Sequence, residues 1–348
     1  MVTMHYARVE RERAEHMKTL LVKKNLFDKS GEVLHSTSYV LFPINVSNAN
    51  IKKLIKENGG SVILKGGTKK QGRPTYEEVV ARILPKDERR ALARGYDLLG
   101  NIAIIDVGKG LGKKEKEVAR ALIESSKTIK TVLAKAGPVS GKYRTRKLRY
   151  VAGKRSYIAD YRENGCRFVF DVRKSFFSNR LSFERGRIMK LSKGKENVIV
   201  MFAGIGPFAI EIAKQNPKAK VLAIELNRYA YLSMKENVKI NKASNVVPLL
   251  ADAKKISVKY RNFADRVVMP LPMQSINFLD SAVESAKRKA TIHIYMIVRR
   301  DSAKTSAQKA LMHHAKLHKY KVRLDGFKVV RDYSPGEVEV VADLKISK

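Results

Sequence analysis

Asn197-Val198-Ile199-Val200-Met201-Phe202-Ala203-Gly204-Ile205-Gly206-Pro207-Phe208 decides the fold of the C-terminal half of the chain. Asn197–Phe202 is an apolar run, the pattern of a strand covered on both faces. Gly204-Ile205-Gly206-Pro207 breaks that run and turns it into a helix that Asn216-Pro217 stops. Downstream the alternation continues. Val221–Ile224 reads as a strand ending in Glu225, Arg228–Asn241 as a helix, and Val246–Leu250 and Asp265–Met269 as strands. Ile276–Ala290 then reads as a helix, Thr291–Val298 as a strand and Ser302–Leu317 as a helix. Two closing strands, Val322–Val330 and Val338–Ile346, are joined through Ser334-Pro335-Gly336. The expectation is an α/β, Rossmann-like, mostly parallel sheet that ends in an antiparallel hairpin.

Upstream of about residue 187 the alternation is lost. Strand patterns near Lys147–Val151, Tyr157–Tyr161 and Arg167–Val172, with Asn101–Val107, Thr131–Ala136 and a helix over Lys113–Ser126, suggest a small α+β domain. Further back lie a basic helical stretch (Arg8–Lys24), a strand (Tyr39–Ile44) and a helix (Ile51–Glu57). Lys65-Gly66-Gly67-Thr68-Lys69-Lys70-Gln71-Gly72-Arg73-Pro74 has the composition of a solvated linker. The expected division is therefore an N-terminal domain over 1–66, a linker over 67–80, an α+β domain over 81–170 and the Rossmann-like domain over 171–348.

The 348 residues carry a formal charge of +38, and 44% of them are hydrophobic, enough for real cores. So strong a positive field attracts polyanions, and nucleic acid is the expected partner; the competing account is a Lys bias that only solvates the surface. With no Trp and 7% aromatics, an aromatic platform for stacking single strands is not the expected mode. One cysteine, Cys166, excludes a disulfide scaffold or a Cys-rich zinc module. Met1–Tyr6 has no signal-like apolar segment and no run approaches the roughly 20 residues of a membrane helix, so a cytoplasmic, membrane-free protein is expected.

A glycine turn between strand and helix brings backbone close to a ligand, and acids at later strand ends take up its hydroxyls. Phe202, Ala203, Gly204, Gly206 and Phe208 form or flank the turn. Glu225, about twenty residues on, is placed for ribose hydroxyls, with Leu226 beside it, and Asp252 with Ala253 for an adenine amino group. NAD is disfavoured, because Phe208 and Ala209 follow Pro207 where G-x-G-x-x-G has its third glycine, and no P-loop is present. The closing strand pair resembles the plan of methyltransferases that use S-adenosyl-L-methionine. The competing account is a plain Rossmann-like sheet with surface acids.

Tyr161-Arg162-Glu163-Asn164-Gly165-Cys166-Arg167-Phe168, Phe176-Phe177-Ser178-Asn179-Arg180-Leu181, Glu184-Arg185, the glycine turn itself and Tyr333-Ser334-Pro335-Gly336 together resemble the archaeal and eukaryotic tRNA (guanine(37)-N(1))-methyltransferases. The resemblance runs from the linker to the C-terminus and implies tRNA as partner, gripped at the anticodon loop and, by the N-terminal domain, at the elbow. It also implies a monomer and S-adenosyl-L-methionine as cofactor. Methylation of guanine N1 needs a base for the N1 proton and a donor or cation for charge on O6. By resemblance Glu184 is the base, Arg180 lies one turn earlier on the same face, and Arg144 reads the guanine. On pattern alone, Arg180 and Glu184 are equally an i,i+4 salt bridge, and Arg144, Arg146, Lys147 and Arg149 general phosphate contacts.

Two positions depart from the family pattern. Val200 stands where an Asp precedes Met-Phe-Ala-Gly, and Pro270, in Met269-Pro270-Leu271-Pro272, stands where the family's N-L-P has Asn. Pro270 offers neither a side-chain donor nor an N–H to the target base, and Pro272 of the same motif is expected among the cofactor-binding residues. This change resembles the archaeal wyosine-pathway paralogue, some members of which methylate C7 of 4-demethylwyosine. An aminocarboxypropyl transferase of that pathway and a basic RNA-binding protein with a decayed methyltransferase fold are the alternatives. Cys166 is expected to pack. His313, His314 and His318 share a helix, but no carboxylate or cysteine lies near them at ligand spacing, so no metal is expected.

Overall fold

The computed structural model describes residues 2–28, 30–45, 48–67, 75–86, 89, 96–106, 114–141 and 143–347, in two compact units, Met1–Thr75 and Tyr76–Lys348. In the first unit, β1 (Val2–Glu10) leads to α1 (Ala14–Lys23), then β2 (Leu34–His35), β3 (Tyr39–Ile44), α2 (Ala49–Glu57) and β4 (Gly60–Gly67). The sheet order is β2-β3-β1-β4, all antiparallel. The helix expected from Arg8 thus begins only at Ala14. Residues 2–10 form the central strand, with Met4 and Tyr6 buried on one face and Ala7 and Val9 on the other. Burial on both faces erases the polar alternation that would have marked it.

The second unit opens with α3 (Tyr76–Ile83), inside the stretch expected to be linker. Val80 and Leu84 pack there on Val118, which is why the segment is helical; residues 68–74 lie outside the described residues. A four-stranded sheet follows, built from β5 (Tyr96–Leu99), β6 (Ile102–Ile105), β7 (Thr131–Ser140) and β8 (Thr145–Gly153), with α4 (Glu115–Ser125) between β6 and β7. Next comes a hairpin of β9 (Ile158–Glu163) and β10 (Cys166–Asp171), turned by Asn164 and Gly165 at φ 45° and 73°. Asn-Gly with both residues left-handed is the turn that suits twisted strands.

The remaining elements are α5 (Ser182–Leu191), β11 (Asn197–Val200), α6 (Pro207–Gln215), β12 (Lys220–Glu225), α7 (Arg228–Ile240), β13 (Val246–Leu250), α8 (Ala253–Lys259), β14 (Ala264–Met269), α9 (Leu279–Ser285), β15 (Ala286–Arg299), α10 (Ala303–Leu317), β16 (Lys321–Ser334) and β17 (Glu337–Ser347). They build a seven-stranded sheet of order β13-β12-β11-β14-β15-β17-β16. Strands β11 to β15 are parallel, and β17 pairs antiparallel with both β15 and β16. Alternate residues of β11 serve two cores. Val198 and Val200 pack with α5, α6 and α7; Ile199, continued by Met201, packs with α8, α9 and α10.

Two expectations change here. The helix read over 276–290 is a short turn plus α9, and the strand begins at Ala286 rather than Thr291. Lys287-Arg288-Lys289 favours helix locally, but Ala286 and Ala290 are buried and paired with Ala264 and Ile346, and tertiary pairing wins. The border placed at 170/171 falls inside one compact unit. Asn237 of α7 and Asn241, which caps that helix, accept the N–H groups of Val169 and Arg167, stitching β10 to the Rossmann-like sheet.

Candidate active site

Beyond Val200 the chain leaves the sheet through a turn in which Phe202, Gly204 and Gly206 all have positive φ, at 55°, 58° and 93°. The N–H of Ala203 donates to Ile224 O at 2.9 Å, and that of Gly206 to Ala203 O at 2.9 Å, tying the loop to β12 and to itself. A Cβ on Gly206 would stand 2.9 Å from Met234 Cγ, whereas one on Gly204 would meet only Phe176 O, at 3.8 Å. Gly206 is thus required for packing against α7, and Gly204 for the left-handed turn. Pro207 occupies the first turn of α6, where its missing N–H costs nothing. Phe208 is buried beneath the turn, against Tyr295.

Glu225 ends β12 and faces this turn. Its Oε2 accepts from Gly204 N–H and its Oε1 from Asn227 N–H, both at 2.7 Å. Burial pushes the Glu225 carboxyl upward against the pull of these donors. Each carboxylate oxygen keeps a second lone pair, so Glu225 can still accept ribose hydroxyls. Asp252 caps α8, its Oδ1 accepting from Lys254 N–H at 2.9 Å. Phe202 meets Phe278 edge-on at 4.8 Å, Leu226 is exposed and Ala253 is buried. Val200, one of the two departures, is wholly buried in the core. The Ala203, Gly204 and Gly206 amides are engaged within the protein, and the two carboxylates are acceptors, which fits the hydroxyls and amino group of a nucleoside such as that of S-adenosyl-L-methionine.

Across the turn lie the groups expected to meet the base. The Arg144 guanidinium sits over the Phe176 ring at 5.5 Å, and Phe176 is the residue whose carbonyl overlooks Gly204. Arg144 itself has φ 53° in the turn from β7 to β8. Arg180 is exposed and pairs with Asp97 at 3.0 Å. Pro270 and Pro272 flank a loop pinned by the Ser275 hydroxyl, which donates to Met269 O and Leu271 O at 2.9 Å.

Glu184 turns inward. It is 2% exposed, and the i,i+4 bridge to Arg180 is not formed. Its Oε1 accepts from Tyr295 OH at 2.8 Å, while Arg187 grips both oxygens at 2.8 and 2.9 Å. Arg187 also donates to Asp343 at 2.7 Å, Asp343 pairs with His293 Nδ1 at 2.6 Å, and Arg266 bridges His293 to Glu196. Burial lowers the His293 pKa; it also opposes ionisation of Asp343, but His293 and Arg187 hold that carboxyl well below its usual range. Glu184 is therefore the end of a buried chain of alternating charge.

A second buried cluster lies next to it. Arg185, 2% exposed, pairs with Glu163 at 2.6 Å and stacks on Phe177 at 4.9 Å. Glu211 of α6 sits 3.7 Å from Arg185, and Asn164 donates to it at 2.8 Å. Burial and the adjacent Glu163 push the Glu211 carboxyl up to about 9. Cys166 is buried and its thiol is pushed up to about 11, so it packs. Sequence reasoning missed Tyr295, His293, Asp343, Arg187 and Glu211. The polar letters in Ile292-His293-Ile294-Tyr295 and in Ala209-Ile210-Glu211-Ile212, both apolar contexts, were the available signal.

The TRM5/TYW2 methyltransferase domain matches residues 159–323, and the TYW2 N-terminal domain matches 76–156. Trm5b of Pyrococcus abyssi, named a tRNA (guanine(37)-N(1))-methyltransferase, is 37% identical over 274 residues, 78% of this chain and 80% of that one. The chain belongs to the TRM5/TYW2 methyltransferase family. The crystal structure of that Trm5b superposes with a TM-score of 0.73 at 32% identity, covering 99% of this chain and all of the other. A second family relative, the tRNA 4-demethylwyosine(37)-methyltransferase Taw21 of Saccharolobus solfataricus, is 32% identical over 74% of this chain and 96% of its own. The complex of aTrm5 with tRNALeu superposes at a TM-score of 0.68 and 27% identity, covering 98% of this chain and 99% of that one. Among the described residues no helix is long and apolar enough to cross a membrane.

Proposed function

We propose that this family member transfers the methyl group of S-adenosyl-L-methionine to N1 of guanosine at position 37 of tRNA. The observation that carries the reading is the Arg144 guanidinium over the Phe176 ring, with the Phe176 carbonyl overlooking Gly204, which supports Arg144 as a base-reading cation next to the proposed cofactor cradle. Bound S-adenosyl-L-methionine supplies an electrophilic methyl group. Glu225 and Asp252 hold its nucleoside, and the amides of 203–206 line its path. Arg144 and Arg180 stabilise charge developing on O6. Glu184 accepts the N1 proton; Arg187, already bonded to Asp343, releases it for that step. The +38 charge supplies phosphate contacts, and the N-terminal unit is assigned to the tRNA elbow, with one chain per tRNA.

Pro270 favours a second reading, methylation of C7 on 4-demethylwyosine, since it gives the base no donor and Taw21 matches over nearly its whole length. Nucleoside mass spectrometry of two tRNAs, one with guanosine and one with 4-demethylwyosine at position 37, decides between them. Methyl addition to the first alone supports the N1 reading, and addition to the second supports C7. An aminocarboxypropyl adduct, or no binding of S-adenosyl-L-methionine by calorimetry, overturns both.

A further inference from the structure

We propose that Asp280, His314 and His318 form a binding site for a divalent transition metal, of the kind zinc(II) fills, tying α9 to α10 away from the methyltransferase cleft. His314 lies in the last turn of α10 and His318 caps that helix, four residues apart and on one face. Asp280 comes from α9, 34 residues earlier, which is why spacing along the chain gives no hint of it. The structure brings the three together. Asp280 Oδ2 lies 3.0 Å from His318 Nδ1, and Asp280 Oδ1 lies 3.7 Å from His314 Nδ1. One donor atom from each residue falls within 4.8 Å of the others.

The 3.0 Å separation is that of an ordinary ion pair, whereas 3.7 Å between Asp280 Oδ1 and His314 Nδ1 is too long for a hydrogen bond. Ligands around zinc at about 2.0–2.1 Å stand roughly 3.3 Å from one another, so small side-chain shifts bring the three donors to that spacing. The Asp280 Oδ1 atom is shielded from solvent and has no hydrogen-bond partner, although it is directed at an imidazole nitrogen. The Asp280 side chain as a whole is 46% exposed, and a cation between the shielded Oδ1 and His314 gives that oxygen a partner. The imidazole rings stack at 4.4 Å and 17°, so one ring has to turn out of the stack for both in-plane lone pairs to meet a single ion. Tyr320 OH, 2.8 Å from His314 Nδ1, gives up that contact when metal binds. Two imidazoles and one carboxylate select zinc, cobalt or nickel over magnesium and calcium.

The test uses the full chain without a polyhistidine tag, stripped with chelator and dialysed against zinc(II). Wild type should retain about one zinc per chain, and cobalt(II) should give the visible absorption of a low-symmetry nitrogen–oxygen site. Zinc should raise the melting temperature by about 3 °C. His318→Ala and the isosteric Asp280→Asn should each lose the zinc and the shift, while their metal-free melting temperatures and binding of S-adenosyl-L-methionine match wild type. Wild type that retains no zinc at tenfold excess overturns the site. Full stoichiometry in both variants overturns it as well.

Discussion

On the donor side of the cleft the contacts that set the cradle span at most 21 residues. Gly204 and Asn227 give their amides to Glu225, Asp252 caps its own helix, and Pro207 starts the helix that follows the turn. On the acceptor side they are long-range. Glu184 meets Tyr295 from 111 residues away, Arg187 meets Asp343 across 156, and Arg180 meets Asp97 across 83. A cofactor cradle made of strand-end turns can be read from strand and helix periods. A base-recognition site made of side chains from distant strands can be placed only by their packing.

The sharpest way to break this contrast is Glu184→Gln. The exchange keeps an acceptor for Tyr295 and leaves the glycine turn untouched, so S-adenosyl-L-methionine affinity should stay within about twofold. Turnover should fall by about 10²–10⁴-fold, the usual worth of a positioned base. Rapid-quench methyl transfer and calorimetry measure the two halves. Wild-type turnover would confine Glu184 to the buried charge chain. Gly206→Ala probes the opposite side. Its φ of 93° and the 2.9 Å approach to Met234 leave no room for a methyl group. Overpacking plus strain should cost about 2–5 kcal/mol and weaken cofactor binding about tenfold or more, with tRNA affinity unchanged. Equal weakening of both ligands would mean that the turn and the tRNA surface are one unit.

How far each region was legible follows the same division. The strand–helix alternation, the antiparallel closing pair, the glycine turn and the places of Glu225 and Asp252 at strand ends followed from periodicity and turn chemistry. The start of β15 did not, because Lys287-Arg288-Lys289 favours helix and only pairing with β17 overrules it. Strand β1 was hidden by burial on both faces. Glu184 and Arg180 were read as neighbours on one helical face, yet Arg180 lies in the short turn before α5 and goes to Asp97. The three-residue cluster of Asp280, His314 and His318 was invisible for the same reason, its carboxylate arriving from another helix.

Arg180→Ala should have a smaller effect. The side chain is 62% exposed, so its ion pair with Asp97 adds little to stability. With Arg180 assigned to O6, its loss should lower turnover about tenfold and leave the slope of log K against log salt unchanged. A slope reduced by about one with turnover kept would assign Arg180 to a phosphate rather than to the base.

The last comparison concerns Glu211, in the cluster that joins α6 to the β9–β10 hairpin. Burial, and then repulsion from Glu163, holds its proton to about pH 9, whereas a free glutamate releases it near 4.3. Above about pH 4.3 the unfolded chain loses a proton that the folded chain keeps. This site therefore stabilises most at low pH and loses its contribution as pH rises towards 9. Glu211→Gln keeps an oxygen for Asn164, replaces the acid proton with an amide donor towards Glu163, and stays neutral throughout. Wild type and variant should melt within about 1–2 °C of each other at pH 5, and the variant should pull ahead as pH approaches 9. Parallel melting curves across that range would show that Arg185 neutralises both carboxylates. The cluster would then be an ordinary charged triad in which no proton is trapped.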